Sequence, residues 1–161
     1  MDDVLPVKFA WGVFCRRTIT DKETGELSII DVVPALKVEQ INPPNLDVNN
    51  PKLLIGLGRM YVTALFQRVG NSDAEINEDL IVEFLQPDSE VIYVNAKITI
   101  RSLEISAFIN LNLGELILNV SSLQEFYDRK FEVAYKVRNQ ELGKILLPVD
   151  IKFQSQLLET L

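Results

Sequence analysis

Apolar and polar residues alternate along most of this sequence, and a repeat of two residues is the pattern of a β-strand that buries one face. The clearest example lies near the C-terminus, in the segment "EFYDRKFEVAYKVR". One face of this segment is apolar and holds Tyr127, Phe131, Val133, Tyr135 and Val137. The turn "NQELG" follows, and a second alternating run begins at Ile145. Together these segments predict a C-terminal β-hairpin.

The N-terminal part of the sequence predicts another hairpin. The odd-numbered face of its first segment holds Phe9, Trp11, Val13 and Cys15, so we expect Cys15 to face the core. The loop "DKETGE" has the residue types of a turn, and the β-branched run "LSIIDVV" follows it. Because Cys15 is the only cysteine and the sequence has no histidine, we interpret it as a buried structural thiol and not as a nucleophile.

Two residues break the alternation. Phe14 places a large apolar side chain on the even-numbered face of the first strand, and Leu65 does the same on the odd-numbered face of the segment 53–66. Both faces of these two strands then need cover. We therefore predict Phe14 and Leu65 as candidate interaction residues, covered by a partner subunit, by the loop at 40–52 or by the C-terminal tail.

The rest of the sequence also predicts mainly β-strands. Further strands are expected at Leu53 to Arg68, Leu80 to Leu85, Val91 to Arg101 and Ile105 to Leu113. The segment 40–52, "QINPPNLDVNNPK", is expected to be a long surface loop because proline and asparagine favour turns. The two glycines of "GLGR" predict a β-bulge within a strand. Only "SSLQEF" and the tail "QSQLLETL" are candidates for short helices.

About eight strands, each with one buried face, predict an all-β fold. We expect an antiparallel two-sheet sandwich of immunoglobulin-like or C2-like type, with a closed β-barrel as the alternative. At 161 residues the chain fits a single β-sandwich domain that spans 1–161. Its parts are the first hairpin at 1–39, the long loop at 40–52, the remaining strands at 53–153 and the tail at 154–161.

The order of these segments resembles that of a known family. An opening strand and a polar hairpin lead into "SIIDVVPAL", and the closing pair consists of "FYDRKFEVAYKV" and "NQELGKILLPVDIKF". With these segments, which span most of the chain, the sequence resembles a family of small bacterial β-sandwich proteins whose function is undefined. The resemblance implies the sandwich fold, and it implies no catalytic or binding residues.

Charge and composition argue against several classes of partner. The sequence has 16 basic and 23 acidic side chains and a net charge of −7, so its field repels phosphate and anionic lipid. Acidic residues precede the first apolar run, unlike in a signal peptide, and no apolar stretch reaches the roughly 18 to 20 residues that span a bilayer. We expect a cytoplasmic protein with no nucleic-acid partner and no membrane segment.

The sequence contains few residues that could form a catalytic or metal-binding site. Without histidine, serine triads and the commonest zinc sites are excluded, so we expect no catalytic residue, no cofactor and no enzymatic activity. The acidic stretch "NSDAEINED" is the one candidate for a metal: it places Asp73, Glu75, Asn77 and Asp79 at alternate positions, with the oxygen ligands that calcium prefers. The stretch lacks the glycine of an EF-hand loop. This absence favours the interpretation that it is a solvated connection between strands.

These exclusions leave a function in binding. We expect a non-enzymatic protein that acts through protein contacts, as a homo-oligomer or as an accessory subunit. The alternative is a ligand- or calcium-binding module that uses the acidic loop at 71–79. A phage or virion structural component is a third possibility, because such proteins often use the same architecture. The sequence alone identifies no small-molecule ligand.

Overall fold

The computed structural model describes residues 3–41, 53–87, 91–120 and 129–153. These residues form nine strands: β1 (Val7–Thr20), β2 (Leu27–Val32), β3 (Leu36–Ile41), β4 (Leu53–Arg68), β5 (Ile76–Leu85), β6 (Val91–Ile100), β7 (Ser106–Val120), β8 (Lys130–Val137) and β9 (Gln140–Phe153). In this described part of the chain no helix is long and apolar enough to cross a membrane.

The nine strands form two sheets that pack as a sandwich. The four-stranded sheet has the order β2-β1-β4-β7, and the five-stranded sheet has the order β3-β9-β8-β5-β6. Neighbouring strands are antiparallel except β3 and β9, which are parallel. The predicted two-sheet sandwich is confirmed, with nine strands instead of about eight. The additional strand is β3, which takes in the first two residues of the loop predicted at 40–52, while residues 42–52 lie outside the described part.

A cluster of three aromatic rings packs between the two sheets. The ring of Phe9 on β1 stacks on Tyr135 of β8 with centroids 5.7 Å apart, and it meets the edge of Phe66 on β4 at 5.9 Å. Gly143 on β9 lies opposite Tyr135, and a Cβ atom at Gly143 would overlap the ring of Phe9. Phe9 can therefore occupy the space between the sheets only because residue 143 is glycine.

A β-bulge in β1 exchanges the two faces of this strand. Phe9 pairs with Phe66 but Trp11 pairs with Leu65, so Ala10 is an extra residue with no partner of its own in β4. Before the bulge the odd-numbered residues face the core, and after it the even-numbered residues do.

Two contacts beyond the bulge show this exchange. A Cβ atom at Gly12 would overlap the side chain of Ile145 in the opposite sheet, and Phe14 is 1% exposed within the core. The prediction of Phe14 as an interaction residue is therefore wrong. The predicted core face of Trp11 and Cys15 is wrong as well, because both lie on the side of β1 that faces away from the five-stranded sheet.

Several strand ends differ from the sequence-based prediction. β5 begins at Ile76 instead of Leu80, and β7 continues to Val120 instead of ending at Leu113. The turn of the C-terminal hairpin consists of two residues, Arg138 and Asn139, whose φ angles of 50° and 63° suit a tight hairpin turn, so the turn predicted at "NQELG" is misplaced. The bulge predicted at "GLGR" is confirmed by a register shift between residues 56 and 58. The helix candidates at 121–126 and 154–161 lie outside the described residues.

Candidate functional site

The side of the four-stranded sheet that faces away from the other sheet, here called the outer face, carries an exposed apolar row. Trp11 on β1 pairs with Leu65 on β4, and Leu65 pairs with Phe108 on β7. The rings of Trp11 and Phe108 meet edge to face with centroids 5.7 Å apart. Trp11 is 38% exposed, Phe108 is 46% exposed and Leu65 is half-buried. We call these three residues the central row.

The central row has almost no charge around it. The flanking rows of cross-strand partners are Lys8, Gln67 and Ser106 on one side and Val13, Thr63 and Asn110 on the other. Lys8 is the only charged residue among these nine positions. In a chain with a net charge of −7, these nine positions carry no carboxylate.

One end of the outer face is covered by the chain itself. Val13 lies opposite Thr63, and Thr63 lies opposite Asn110, yet the amide of Asn110 donates a hydrogen bond to the hydroxyl of Thr18 at 2.7 Å. On a straight strand Thr18 would lie about 16 Å beyond Val13. β1 therefore bends after Cys15 and carries its last residues over the outer face.

This bend explains why Cys15 and Thr63 are both 0% exposed although they lie on the outer face. Burial raises the pKa of the Cys15 thiol, and a hydrogen bond with the side chain of Thr63 opposes this effect only in part. Burial and a raised pKa both keep the thiol from acting as a nucleophile. The predicted burial of Cys15 is confirmed, although the residue lies on the outer face and not in the core between the sheets.

The outer face of the five-stranded sheet is different in character. The ammonium of Lys136 lies 2.8 Å from a carboxylate oxygen of Glu83, and this hydrogen bond raises the pKa of Lys136. Two further ion pairs on this face join Lys144 to Glu132 at 3.6 Å and Lys97 to Asp79 at 3.9 Å. A surface of paired charges is typical of a solvated face.

The structure does not bring the acidic candidates together around a common point. Glu75 accepts a hydrogen bond from the amide of Asn77 at 2.6 Å, and Asn77 accepts one from the hydroxyl of Thr99 at 2.9 Å. Asp79 belongs to the ion pair with Lys97, and Asp73 is exposed. Among the described residues, no three acidic, histidine or cysteine side chains form a group that could hold a metal ion. The calcium site stays a prediction without support from this geometry.

Sequence reasoning missed an arginine that fixes one end of the sandwich. The guanidinium of Arg68 donates three hydrogen bonds to backbone carbonyls: to Ala74 at 2.5 Å, to Arg101 at 3.1 Å and to Glu104 at 3.1 Å. These bonds hold the loops at 69–75 and 101–105 against each other. A single arginine at a strand end forms no sequence pattern, so its role is visible only once the two loops are placed.

The loop at 101–105 carries the most exposed apolar side chains near the central row. Leu103 is 79% exposed and Ile105 is 74% exposed, and β7 with Phe108 begins directly after them. Leu103 also has a φ angle of 69°, in the left-handed region that large side chains rarely adopt.

Comparison with known proteins adds no function to this geometry. No protein-family model matches the chain, and no curated protein matches it.

Proposed function

We propose that this protein is a non-enzymatic β-sandwich that acts through contact with another protein, and that the central row is the contact surface. The contrast between the two outer faces carries the proposal. One face carries three ion pairs among its exposed side chains Ile81, Tyr93 and Leu146, and the other presents two partly exposed aromatic rings, in contact with each other, with one charged residue among nine positions. The centres of protein interfaces are enriched in aromatic residues and depleted of charge, as the central row and its two flanking rows are.

The surface also indicates the chemistry of the partner. Tryptophan residues at interfaces frequently supply a large share of the binding energy, and Trp11 is the only tryptophan of the chain. Because Lys8 is the only charged residue among the nine described positions of the central row and its flanking rows, a strongly basic or strongly acidic partner gains little there. The matching surface is apolar and uncharged. It belongs either to a second copy of this chain or to a different subunit.

The sequence and the described residues offer few catalytic groups, which supports the non-enzymatic half of the proposal. The sequence has no histidine, and the single thiol is buried with a raised pKa. The carboxylates of Glu83, Glu132 and Asp79 are engaged by lysines. A lone buried thiol also suits a cytoplasmic protein, where disulfides are rare.

The proposal is tested by cross-linking in the native cell. A photo-reactive amino acid replaces Phe108 in the full chain, and a matched control carries it at Tyr93, an exposed aromatic position of the other sheet. We expect a discrete protein adduct from position 108 and none from position 93. The mass of the adduct distinguishes a second copy from a different subunit. No adduct from position 108, or the same adducts from both positions, would contradict the proposal.

A further inference from the structure

We infer that Leu103 is a preformed knob that inserts into an apolar pocket with a basic rim on the protein partner. The inference rests on the proposed function for the existence of a protein partner, but it names a separate contact and the chemistry of its counterpart. It follows from the exposure of the loop at 101–105, from its backbone conformation, from its fixation and from its charge.

The exposure and the backbone conformation of Leu103 both indicate a binding residue. Leu103 exposes 79% of its surface at the tip of the turn while its φ angle is 69°. Leucine pays a conformational cost in this region that glycine and asparagine largely avoid. Neither feature stabilises the isolated fold. Strained residues that persist in a structure are concentrated at binding and active sites.

The loop is held rigidly in this unfavourable conformation. Arg68 donates to the carbonyls of Arg101 and Glu104, and the carboxylate of Glu104 accepts a hydrogen bond from the backbone N–H of Arg101 at 3.2 Å. The hydroxyl of Ser102 donates to the carbonyl of Asp73 at 2.9 Å and ties the loop to its neighbour. A loop ordered before binding loses little conformational entropy when the partner arrives.

The charge of the two joined loops selects the partner. Asp73, Glu75 and Glu104 contribute three carboxylates to the loops at 69–75 and 101–105, while Arg101 and the guanidinium of Arg68 between the loops contribute two cations, which leaves a net charge of −1. An apolar tip on loops with an excess of negative charge fits an apolar pocket with a basic rim. The same charge, in a chain of net charge −7, opposes an anionic lipid surface, so we assign the knob to a protein.

The position of the knob agrees with the central row. The carbonyl of Ile105 accepts a hydrogen bond from the backbone N–H of Arg68 at 2.9 Å, which joins the loop to β4, and Phe108 follows three residues later in β7. One partner can therefore contact the central row and the knob together.

The knob is tested with Leu103→Gly and Leu103→Asn, because both residues tolerate positive φ and remove the apolar side chain. The matched control is Tyr93→Asn, an exposed apolar position in the other sheet. We expect both Leu103 variants to keep or raise the thermal midpoint, since they relieve strain. The adduct formed from a photo-reactive residue at position 108 should fall by roughly tenfold or more in both variants and stay unchanged in the control.

The outcomes separate the knob from the proposed function. An unchanged adduct in the Leu103 variants overturns the knob and leaves the central row intact. No adduct from position 108 contradicts the proposed function, and a photo-reactive residue at position 103 then tests the knob alone. A cross-linked partner peptide that is apolar and flanked by lysine or arginine supports the knob, and no adduct, or an acidic cross-linked peptide, overturns it. Cosedimentation of the purified chain with phosphatidylcholine vesicles, lost in Leu103→Asn, would overturn the assignment to a protein.

Discussion

Gly143 offers the sharpest test of how the two sheets pack. In Gly143→Ala the new Cβ would lie 2.7 Å from Cγ and 3.1 Å from Cβ of Phe9, whereas ordinary contacts begin near 3.4 Å. Phe9 has little room to withdraw, because Tyr135 stacks on its ring at 5.7 Å and Phe66 contacts it at 5.9 Å. Overpacking of this kind costs about 1 to 3 kcal/mol, and we expect the upper end of that range because a ring must move against two others.

Urea denaturation followed by circular dichroism measures this cost. Gly56→Ala is the matched control, since among the described residues its Cβ would meet nothing closer than an oxygen of Glu115 at 3.7 Å. We expect it to change stability by no more than about 0.5 kcal/mol. Replacing Phe9 by leucine should recover part of the loss, so the double variant should show a coupling energy of about 1 kcal/mol or more. If Gly143→Ala costs no more than Gly56→Ala, the described contact between the sheets is wrong.

Three further predictions concern single side chains. The hydroxyl of Tyr135 is buried without a hydrogen-bond partner among the described residues, so Tyr135→Phe should raise the free energy of unfolding by about 1 to 3 kcal/mol; a loss of stability would reveal a partner. The backbone N–H groups of Glu23 and Thr24 donate to the carboxylate of Asp21 and hold its pKa below the ordinary value of 3.8. The wild type should therefore be more stable to unfolding than Asp21→Ala above pH 3.8, and this difference in stability should vanish as the pH falls through the lowered pKa. A difference in stability that persists in acid contradicts this role. Cys15 should react slowly with a thiol reagent in the native protein and quickly in denaturant, and rapid native labelling would show that the bend of β1 does not cover it.

The alternation of residues was sufficient to predict the sandwich and most of its strands. β4 has the predicted bounds, Leu53 to Arg68, because its period of two survives across most of its length. The bulge at Ala10 could not be predicted in the same way, since alanine carries no signal for a bulge and the extra residue is defined only by pairing with β4. One unrecognised bulge then placed every later side chain of β1 on the wrong face.

The candidate surface was predicted in part. Leu65 was predicted as an interaction residue because it breaks the alternation of its strand, and the structure places it at the centre of the row; its role in an interaction stays a prediction. Trp11 was missed because the unrecognised bulge led to its assignment to the core face. Phe108 was missed because it belongs to the row only through its pairing with Leu65. The conformation of Leu103 depends on contacts made by Arg68, which lies 35 residues away in the chain. Local sequence patterns do not contain such contacts.

Acrylamide quenching of Trp11 fluorescence tests the central claim most directly, because this residue is the only tryptophan and marks the face that the bulge exposes. In dilute purified protein we predict quenching between that of a buried and that of a free indole, as an exposure of 38% requires. Phe108→Ala removes the neighbouring ring and should increase the quenching further. Fluorescence that resists the quencher and does not respond to Phe108→Ala would place Trp11 in the core and contradict the exposed apolar face.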